Sequence, residues 1–136
     1  MAAVTNATPL ISLDAVVIDT ETTGLDPRKA RLIEIAAVRV ASGRIESAQS
    51  FRRLVDPGEA IPREATAIHG IDAATIADAP PFAEIWPEFS TFIGSSVVIG
   101  HTIGFDLAVL QHECERAGLH WQKAAIWLLL DLELED

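Results

Sequence analysis

Two acidic residues, Asp19 and Glu21, stand two positions apart at the end of an apolar run in this 136-residue chain. Residues two apart on a β-strand point to the same face, so their carboxylates are expected side by side. Unpaired, they would repel each other and resist ionisation, and a divalent cation that prefers hard oxygen ligands, Mg²⁺ or Mn²⁺, would remove that conflict. The alternative is chance, because Asp-x-Glu arises easily in an acidic chain and Glu21 could simply be solvated.

A third carboxylate, Asp106, follows the stretch 100–105 (GHTIGF), where a short buried strand should end and a helix begin. An acid in the first helical turn is favoured by free N–H groups and the helix dipole, which is by itself a sufficient reason for Asp106. The functional alternative is a carboxylate cluster with Asp19 and Glu21, formed where two strands meet at the end of one sheet. Such a cluster could hold one or two metal ions across a phosphodiester.

Hydrophobic periodicity predicts the elements that must position these groups. The predicted strands are Ser12–Thr20, Arg31–Val40, Arg44–Val55, Ser96–Gly100 and Ala124–Leu130, with a helix as the alternative for the last. The predicted helices are Pro62–Ile68, Ala73–Ala77, Pro81–Ile93 and Gly104–Ala117, with a kink or break expected at Pro87.

The order of these elements predicts the fold class. The first three strands suggest an antiparallel meander with a tight turn at 41–43, and the third, more polar strand should lie nearer an edge. Helix, strand, helix and strand then follow. The pattern predicts an α/β fold with a mixed sheet of about five strands, an antiparallel meander followed by parallel strands, and flanking helices.

Composition and charge bound the class of protein. A length of 136 residues predicts one domain, and 49% hydrophobic against 22% charged residues excludes a disordered chain. A single cysteine, Cys114, excludes an internal disulfide, and without an apolar run of ~20 residues or a signal-peptide pattern we expect a cytoplasmic protein with no membrane partner. The net charge of −10 opposes phosphate, so the chain either does not bind nucleic acid or binds a short stretch through metal ions.

Taken together, several stretches resemble the DnaQ-like 3′–5′ exonucleases of the DEDD superfamily, a family similar to the epsilon proofreading subunit of bacterial DNA polymerase III. Residues 19–25 (DTETTGL) match the first motif of that family, and 98–101 (VIGH) with Phe105 and Asp106 resemble the second. Between them, in the family's order and spacing, stand 33–36 (IEIA), 55–58 (VDPG), 61–62 (IP) and 69–71 (HGI). The resemblance covers Val16 to Leu110 almost without a break.

The resemblance implies a ribonuclease H-like fold, two divalent ions (Mg²⁺ or Mn²⁺) and removal of nucleoside monophosphates, one at a time, from the 3′ end of DNA or RNA. It implies that the catalytic metal ligands are Asp19, Glu21 and Asp106. It also implies a substrate-binding set around the terminal nucleotide, made of Thr22, Thr23, Leu25, His69 and Phe105. The structural alternatives are a surface or helix-end role for His69 and a core role for Phe105.

Two positions depart from the family pattern. Thr102 stands where many members have asparagine, and threonine can still cap the following helix. The family's third motif is a histidine followed five residues later by an aspartate, which supply the general base and the last metal ligand. No histidine follows His120, and Asp131 resembles the aspartate that often precedes that missing region. We therefore assign no general base.

The missing third motif predicts a single exonuclease-like domain over 1–136 that is incomplete at its C-terminus and lacks the C-terminal helices. An apolar strand at 126–130 would then be partly bare, which predicts a homodimer or a missing C-terminal segment covering the sheet. Two functions stay open: a metal-dependent 3′–5′ exonuclease in the full-length form, or a catalytically incomplete module binding metal, nucleotide or a protein partner. The chain alone is expected to have weak or no nuclease activity.

Overall fold

The computed structural model describes residues 14–121 and the backbone of 127–129. The elements in chain order are β1 Ala15–Thr22, β2 Leu32–Ala41, β3 Arg44–Leu54, α1 Arg63–His69, α2 Phe82–Ile93, β4 Val97–Gly100, α3 Ile103–Arg116 and β5 Trp127–Leu129. In this part of the chain the strands form one five-stranded sheet in the order β3-β2-β1-β4-β5. β1, β2 and β3 pair antiparallel, whereas β4 runs parallel to β1 and β5 parallel to β4. The predicted α/β class, meander and mixed sheet are confirmed.

The central strand, β1, is apolar and mostly buried from Ala15 to Ile18, and polar from Asp19 to Thr22. Val16 and Ile18 point to the face covered by helices, where they share one core with Phe89 of α2 and Leu107 and Leu110 of α3. Because side chains alternate along a strand, Thr20 lies on this same face, whereas Asp19 and Glu21 lie on the other. The polar side chains at the end of β1 are therefore divided between the two faces of the sheet.

The β2–β3 connection and the position of β3 follow the sequence pattern. Ser42 and Gly43 both have positive φ, 52° and 75°, as the predicted tight hairpin turn requires. β3 is exposed along most of its length and forms one edge of the sheet, with Phe51 as its buried anchor on α2. The edge position predicted from the polar character of this strand is thus confirmed.

The segment 73–77 is not a helix, contrary to the prediction. It forms consecutive turns, in which Asp72 accepts hydrogen bonds from the backbone N–H and the hydroxyl of Thr75, both at 2.9 Å. Ile71 and Ile76 pack on Ile33 of β2. Five residues are too few for a helix to form without strong local support, and the aspartate side chain offers the backbone an alternative partner.

Helix α2 runs without a break through Pro87, so the predicted break is wrong, whereas the predicted kink stays a prediction. Pro87 is the sixth residue of the helix, and removing its N–H costs one bond, to the carbonyl of Ala83. Burial of apolar side chains on both sides of the proline offsets that loss. The buried side chains are Phe82, Ile85, Trp86, Phe89 and Ile93.

The last predicted element lies mostly outside the described residues. Its backbone at Trp127–Leu129 forms β5, so the strand is confirmed against the helical alternative there. Residues 12–13, 124–126 and 130, the acidic tail with Asp131, and the bare apolar face predicted near 126–130 are outside the described part. The homodimer or covering segment inferred from that face stays a prediction.

Candidate active site

Asp19 and Glu21 lie at the carboxyl end of β1, as predicted. Asp19 pairs in register with Ala36 and is exposed, whereas Glu21 pairs with Glu34 and is half-buried. The register shifts immediately after Glu21, which marks a β-bulge before Thr22. Bulges re-aim the backbone that follows, so the two carboxylates stand where the strand turns into a loop.

Asp106 reaches the same end of β1 from the other face of the sheet. It lies in the first turn of α3, only 2% exposed, and accepts a short hydrogen bond from the hydroxyl of Thr20. Thr20 stands between Asp19 and Glu21 in sequence, so its side chain points away from theirs. The predicted placement of Asp106 at this strand end is therefore observed, but with a partner, Thr20, that was not singled out from the sequence.

Close packing at Gly100 allows α3 to begin this near to β1. A methyl group at Gly100 would lie 3.1 Å from Cδ1 of Ile103 and 3.3 Å from the carbonyl oxygen of Ile18. Those distances are shorter than ordinary van der Waals contacts, so a residue with a side chain would push the start of the helix outward. Gly100 thereby sets how closely Asp106 approaches β1.

The three carboxylates act on one another electrostatically. The pKa of Asp106 is raised to about 6, chiefly because burial disfavours the charged form; the hydrogen bond from Thr20 opposes this shift, and the charges of Asp19 and Glu21 add to it. The pKa of Glu21 is raised by burial first and then by the charge of Asp19; His69 opposes this shift electrostatically, and the charge of Glu34 adds to it. Among residues 14–121, none of the ion pairs joins a lysine or arginine to Asp19, Glu21 or Asp106. The group therefore holds mutually repelling hard oxygen donors.

These donors fit a divalent cation by their chemistry, but they are not assembled on one point. Across the described part of the chain, no group of three or more His, Cys, Asp and Glu side chains is placed so that it could hold a metal ion. One oxygen of Asp106 is occupied by the Thr20 hydroxyl instead. Oxygen ligands and uncompensated negative charge are what Mg²⁺ and Mn²⁺ select, so the residue types suit such an ion.

The loop after β1, residues 22–25, is closed by its own hydrogen bonds; we call it the motif loop. The Thr22 hydroxyl donates to the carbonyl of Gly24 at 2.7 Å. Thr23 is buried, its N–H donates to the carbonyl of Arg31 at 2.9 Å, and its hydroxyl accepts from the Arg31 N–H at 2.9 Å. Leu25 closes the loop with its side chain 86% exposed. The threonines thus fix the loop, and Leu25 is presented outward.

A cavity of about 540 Å³ lies between the motif loop, α1 and the start of α3. Leu25, Phe105 and Ile68 of α1 form apolar parts of its wall, and Glu21 and Asp106 reach it from the strand end. Ile68 is 77% exposed, and it was placed in a helix from the sequence without being named as a site residue. No spacing rule could have found it, because its exposure depends on where the short helix α1 docks.

His69 lines the same cavity at the end of α1, with both ring nitrogens engaged by backbone groups. Nδ1 accepts the N–H of Ile71 at 3.0 Å, and Nε2 lies 3.3 Å from the carbonyl oxygen of Thr22. Since Nδ1 is an acceptor, the proton belongs on Nε2, which then donates to Thr22. This geometry ties α1 to the motif loop and corresponds to the helix-end alternative. Phe105 is partly buried against the core, as the structural alternative expects, and it also lines the cavity; its contact with a substrate stays a prediction.

The chain is similar to known proteins over most of its length. Residues 16–133 match the family model described as Exonuclease. The chain is 44% identical over 107 residues to a DNA polymerase III subunit epsilon-like protein of Rhodobacter capsulatus, covering 78% of this chain and 15% of that protein. It is 39% identical over 103 residues to DNA polymerase III subunit epsilon of Rickettsia conorii, covering 75% of this chain and 44% of that protein. The chain thus spans less than half the length of these relatives.

The fold is also similar to that of solved exonuclease structures. Exonuclease X in complex with 5′ overhanging duplex DNA superposes with a TM-score of 0.64 at 31% identity, covering 85% of this chain and 58% of that one. Product-bound exonuclease I superposes with a TM-score of 0.75 over 91% of this chain and 31% of its own, and at 18% identity it bears on the fold alone.

The strand order, the mixed strand directions and the carboxylates at the end of the central strand define the ribonuclease H-like class of nuclease folds. Within that class, the chain belongs to the exonuclease family of DnaQ type, since the family model matches most of its length. The predicted family resemblance and fold are confirmed. The longest helix in the described part of the chain, α3, has 14 residues, fewer than the roughly 20 that a membrane-spanning helix needs.

Proposed function

We propose that this chain forms the metal-binding and nucleotide-binding part of a 3′–5′ exonuclease that releases nucleoside monophosphates from the end of a DNA or RNA strand. The observation that carries the proposal is the placement of Asp19, Glu21 and Asp106 at the same end of β1, beside a cavity that Glu21 and Asp106 line. The charge of Asp19 raises the pKa of Glu21 and of Asp106, the charge of Glu21 adds to the shift at Asp106, and the three groups lack a lysine or arginine partner among the described residues. Such an arrangement is unfavourable for a purely structural role.

Asp19, Glu21 and Asp106 would hold divalent ions, Mg²⁺ or Mn²⁺, with two expected in the complete site. When bound, such ions stabilise the charge that develops on a phosphodiester and lower the pKa of a bound water. The negative charge of the chain, −10, makes this cation the means by which a phosphate could approach. The carboxylates would thus bind the ions and, through them, select a phosphate-bearing substrate.

The motif loop and the cavity would receive the terminal nucleotide. Leu25 and Phe105 offer apolar surface suited to the flat face of a base, and Thr22, Thr23 and Gly24 of the closed loop line the same cavity. His69 would act by holding the loop against α1, because its ring nitrogens already bind Ile71 and Thr22. We assign no residue of 14–121 as the base that activates the attacking water.

Metal binding is the first test. Calorimetric titration of Mn²⁺ should show saturable binding to the unaltered chain and to Asp14→Asn, a charge-matched control at an exposed position next to β1. Asp19→Ala should bind no Mn²⁺. Binding that is equal in Asp19→Ala, or absent from the unaltered chain, would overturn the proposal.

Polarity of cleavage is the second test. Any cleavage of a 5′-labelled single-stranded oligonucleotide should shorten it from the 3′ end by single nucleotides, and Asp19→Ala should abolish it. Removal from the 5′ end would contradict the assignment. Robust Mn²⁺-dependent release by the chain would instead contradict only the expectation of weak activity.

One observation favours a second candidate function, a non-catalytic module that binds a nucleotide or a protein partner. The Thr20 hydroxyl occupies Asp106, and the carboxylates are not assembled for a metal ion in the described residues. This candidate predicts nucleoside monophosphate binding that is unaffected by Mn²⁺. The exonuclease predicts binding that strengthens when Mn²⁺ is added.

A further inference from the structure

Glu113 is a buried acid outside the carboxylate group described above. It lies on α3, seven residues after Asp106, and is only 1% exposed. Seven residues are nearly two helical turns, so both side chains project from the same side of α3. One helix therefore presents two acids to the sheet, Asp106 at the end of β1 and Glu113 two turns further along.

The Glu113 carboxylate is bound by the segment that follows the motif loop. Arg31 Nε donates to both Glu113 oxygens at 3.2 Å, and Arg31 Nη2 lies 3.1 Å from Oε1. The backbone N–H of Leu32, the first residue of β2, donates to Oε2 at 2.8 Å. Arg116 adds a longer ion pair at 3.5 Å. Glu113 thus fixes the chain at 31–32 through a side chain and a backbone group at once.

Arg31 also holds the motif loop. The Arg31 backbone exchanges two hydrogen bonds with Thr23, one with its N–H and one with its hydroxyl, both 2.9 Å long. Arg116 extends the connection by donating to the carbonyl of Arg28 at 2.7 Å. A continuous path of hydrogen bonds therefore runs from Glu113 through Arg31 to Thr23, which lines the cavity.

Burial of an ion pair is a poor way to gain stability, because apolar side chains of similar volume stabilise a core at least as well. Its better-attested use is to fix the register of two elements. Here the two elements are α3, which carries Asp106, and the segment that closes the motif loop. Breaking the pair would let the loop shift relative to Asp106 while leaving the sheet intact.

We propose that Glu113 is a positioning residue for the site: it holds Arg31 and Leu32 against α3, and through them keeps the Thr23 end of the motif loop in the place that receives the terminal nucleotide. This inference rests on the proposed function. Glu113 touches neither the cavity nor the three carboxylates, so its effect should fall on nucleotide binding and leave the metal ligands in place.

Calorimetry with two probes tests this role, using the unaltered chain, Glu113→Gln and Glu115→Gln. Glu115→Gln makes the same chemical change on the same helix at an exposed position. In Glu113→Gln the affinity for thymidine 5′-monophosphate in saturating Mn²⁺ should fall ~10-fold, the scale expected when a charge-assisted hydrogen bond that holds a binding loop is lost. The affinity for Mn²⁺ alone should stay unchanged, as should both affinities in Glu115→Gln.

Arg31→Gln provides a second route if Glu113→Gln does not fold. It removes the guanidinium contact, keeps the backbone bonds to Thr23, and should weaken nucleotide binding in the same direction. Equal affinity in the unaltered chain and both variants would overturn the inference, and so would equal loss of Mn²⁺ and nucleotide binding, which marks a merely structural role. Failure of the unaltered chain to bind Mn²⁺ or the nucleotide would overturn the proposed function and, with it, this inference.

Discussion

The end of β1 and the motif loop that follows it differ in how completely their polar groups are paired or neutralised within the chain. The motif loop is closed from within: Thr22, Thr23 and His69 all have hydrogen-bond partners in its own backbone or that of its neighbours. The carboxylates at the strand end repel one another, and Asp106 is buried with a raised pKa. The hydrogen bonds of the loop are thus made within the described residues, whereas at the strand end burial and neighbouring negative charge disfavour the ionised form of Asp106.

The largest expected effect on the free energy of unfolding comes from removing the charge of Asp106 at the end of β1. A carboxyl with a folded-state pKa near 6, above its unfolded value, destabilises the chain as pH rises through that value. Asp106→Asn keeps an oxygen for the Thr20 hydroxyl and loses the charge. In EDTA at pH 8 the variant should be more stable by about 1–3 kcal/mol, an upper range because solvent reaches part of the site.

Denaturant unfolding between pH 4 and pH 8 measures this effect. The stability gap should close near pH 4, where both proteins are neutral at this position, and Mn²⁺ should narrow the gap at pH 8 by stabilising the unaltered chain. A variant that is less stable at every pH would show that the Asp106 charge is already compensated. The conclusion that the strand end, unlike the motif loop, is not fully compensated would then be wrong.

Much of this contrast could be read from the sequence. Alternation in an apolar strand placed Asp19 and Glu21 on one face, and the motif spacing placed Asp106 at the same end of the sheet. The bond from Thr20 to Asp106 could not be predicted, because it joins residues 86 positions apart on a face defined only once α3 has docked. Local pattern gives the direction of a side chain, and tertiary packing gives its partner.

The second-largest expected effect on stability concerns Gly100, which allows α3 to pack closely against the end of β1. Gly100→Ala places a methyl group 3.1 Å from the Ile103 side chain and 3.3 Å from the Ile18 carbonyl. We expect a loss of about 1–2 kcal/mol in the free energy of unfolding, typical of overpacking, and weaker Mn²⁺ binding as Asp106 moves away. Gly104→Ala is the matched control, since a methyl group there meets nothing within 4 Å. Equal stability of the two variants would show that the contact at Gly100 relaxes freely.

The third effect tests how the motif loop is closed. His69→Ala removes the acceptor of the Ile71 N–H and the donor to the Thr22 carbonyl, so it should cost about 0.5–1.5 kcal/mol. Amide exchange at Ile71 should accelerate, while His120→Ala, at an exposed position, should change neither quantity. Unchanged exchange at Ile71 would mean that the histidine does not hold the loop, and would return it to the predicted role beside the nucleotide.

The segment 73–77 shows why the helix predicted there from the sequence was wrong. Its alanines favour a helix, but the Asp72 side chain bonds to Thr75, and two isoleucines dock on β2, so a turn satisfies more groups than one isolated helical turn would. Ile68 was overlooked for the converse reason, since its local pattern is ordinary and only the docking of α1 exposes it at the cavity. Both errors lie in short elements, where local propensity is weakest against tertiary contacts.

The smallest expected change in stability is at the tip of the motif loop. Leu25→Ser should alter the free energy of unfolding by less than about 0.5 kcal/mol, because the side chain is 86% exposed and contributes little to the core. It should nevertheless weaken thymidine monophosphate binding several-fold, since an apolar wall of the cavity is lost. Ile45→Ser, another exposed apolar position but on β3, should change neither. Loss of nucleotide affinity without loss of stability would separate the binding surface of the motif loop from its support, whereas unchanged affinity would exclude Leu25 from the site.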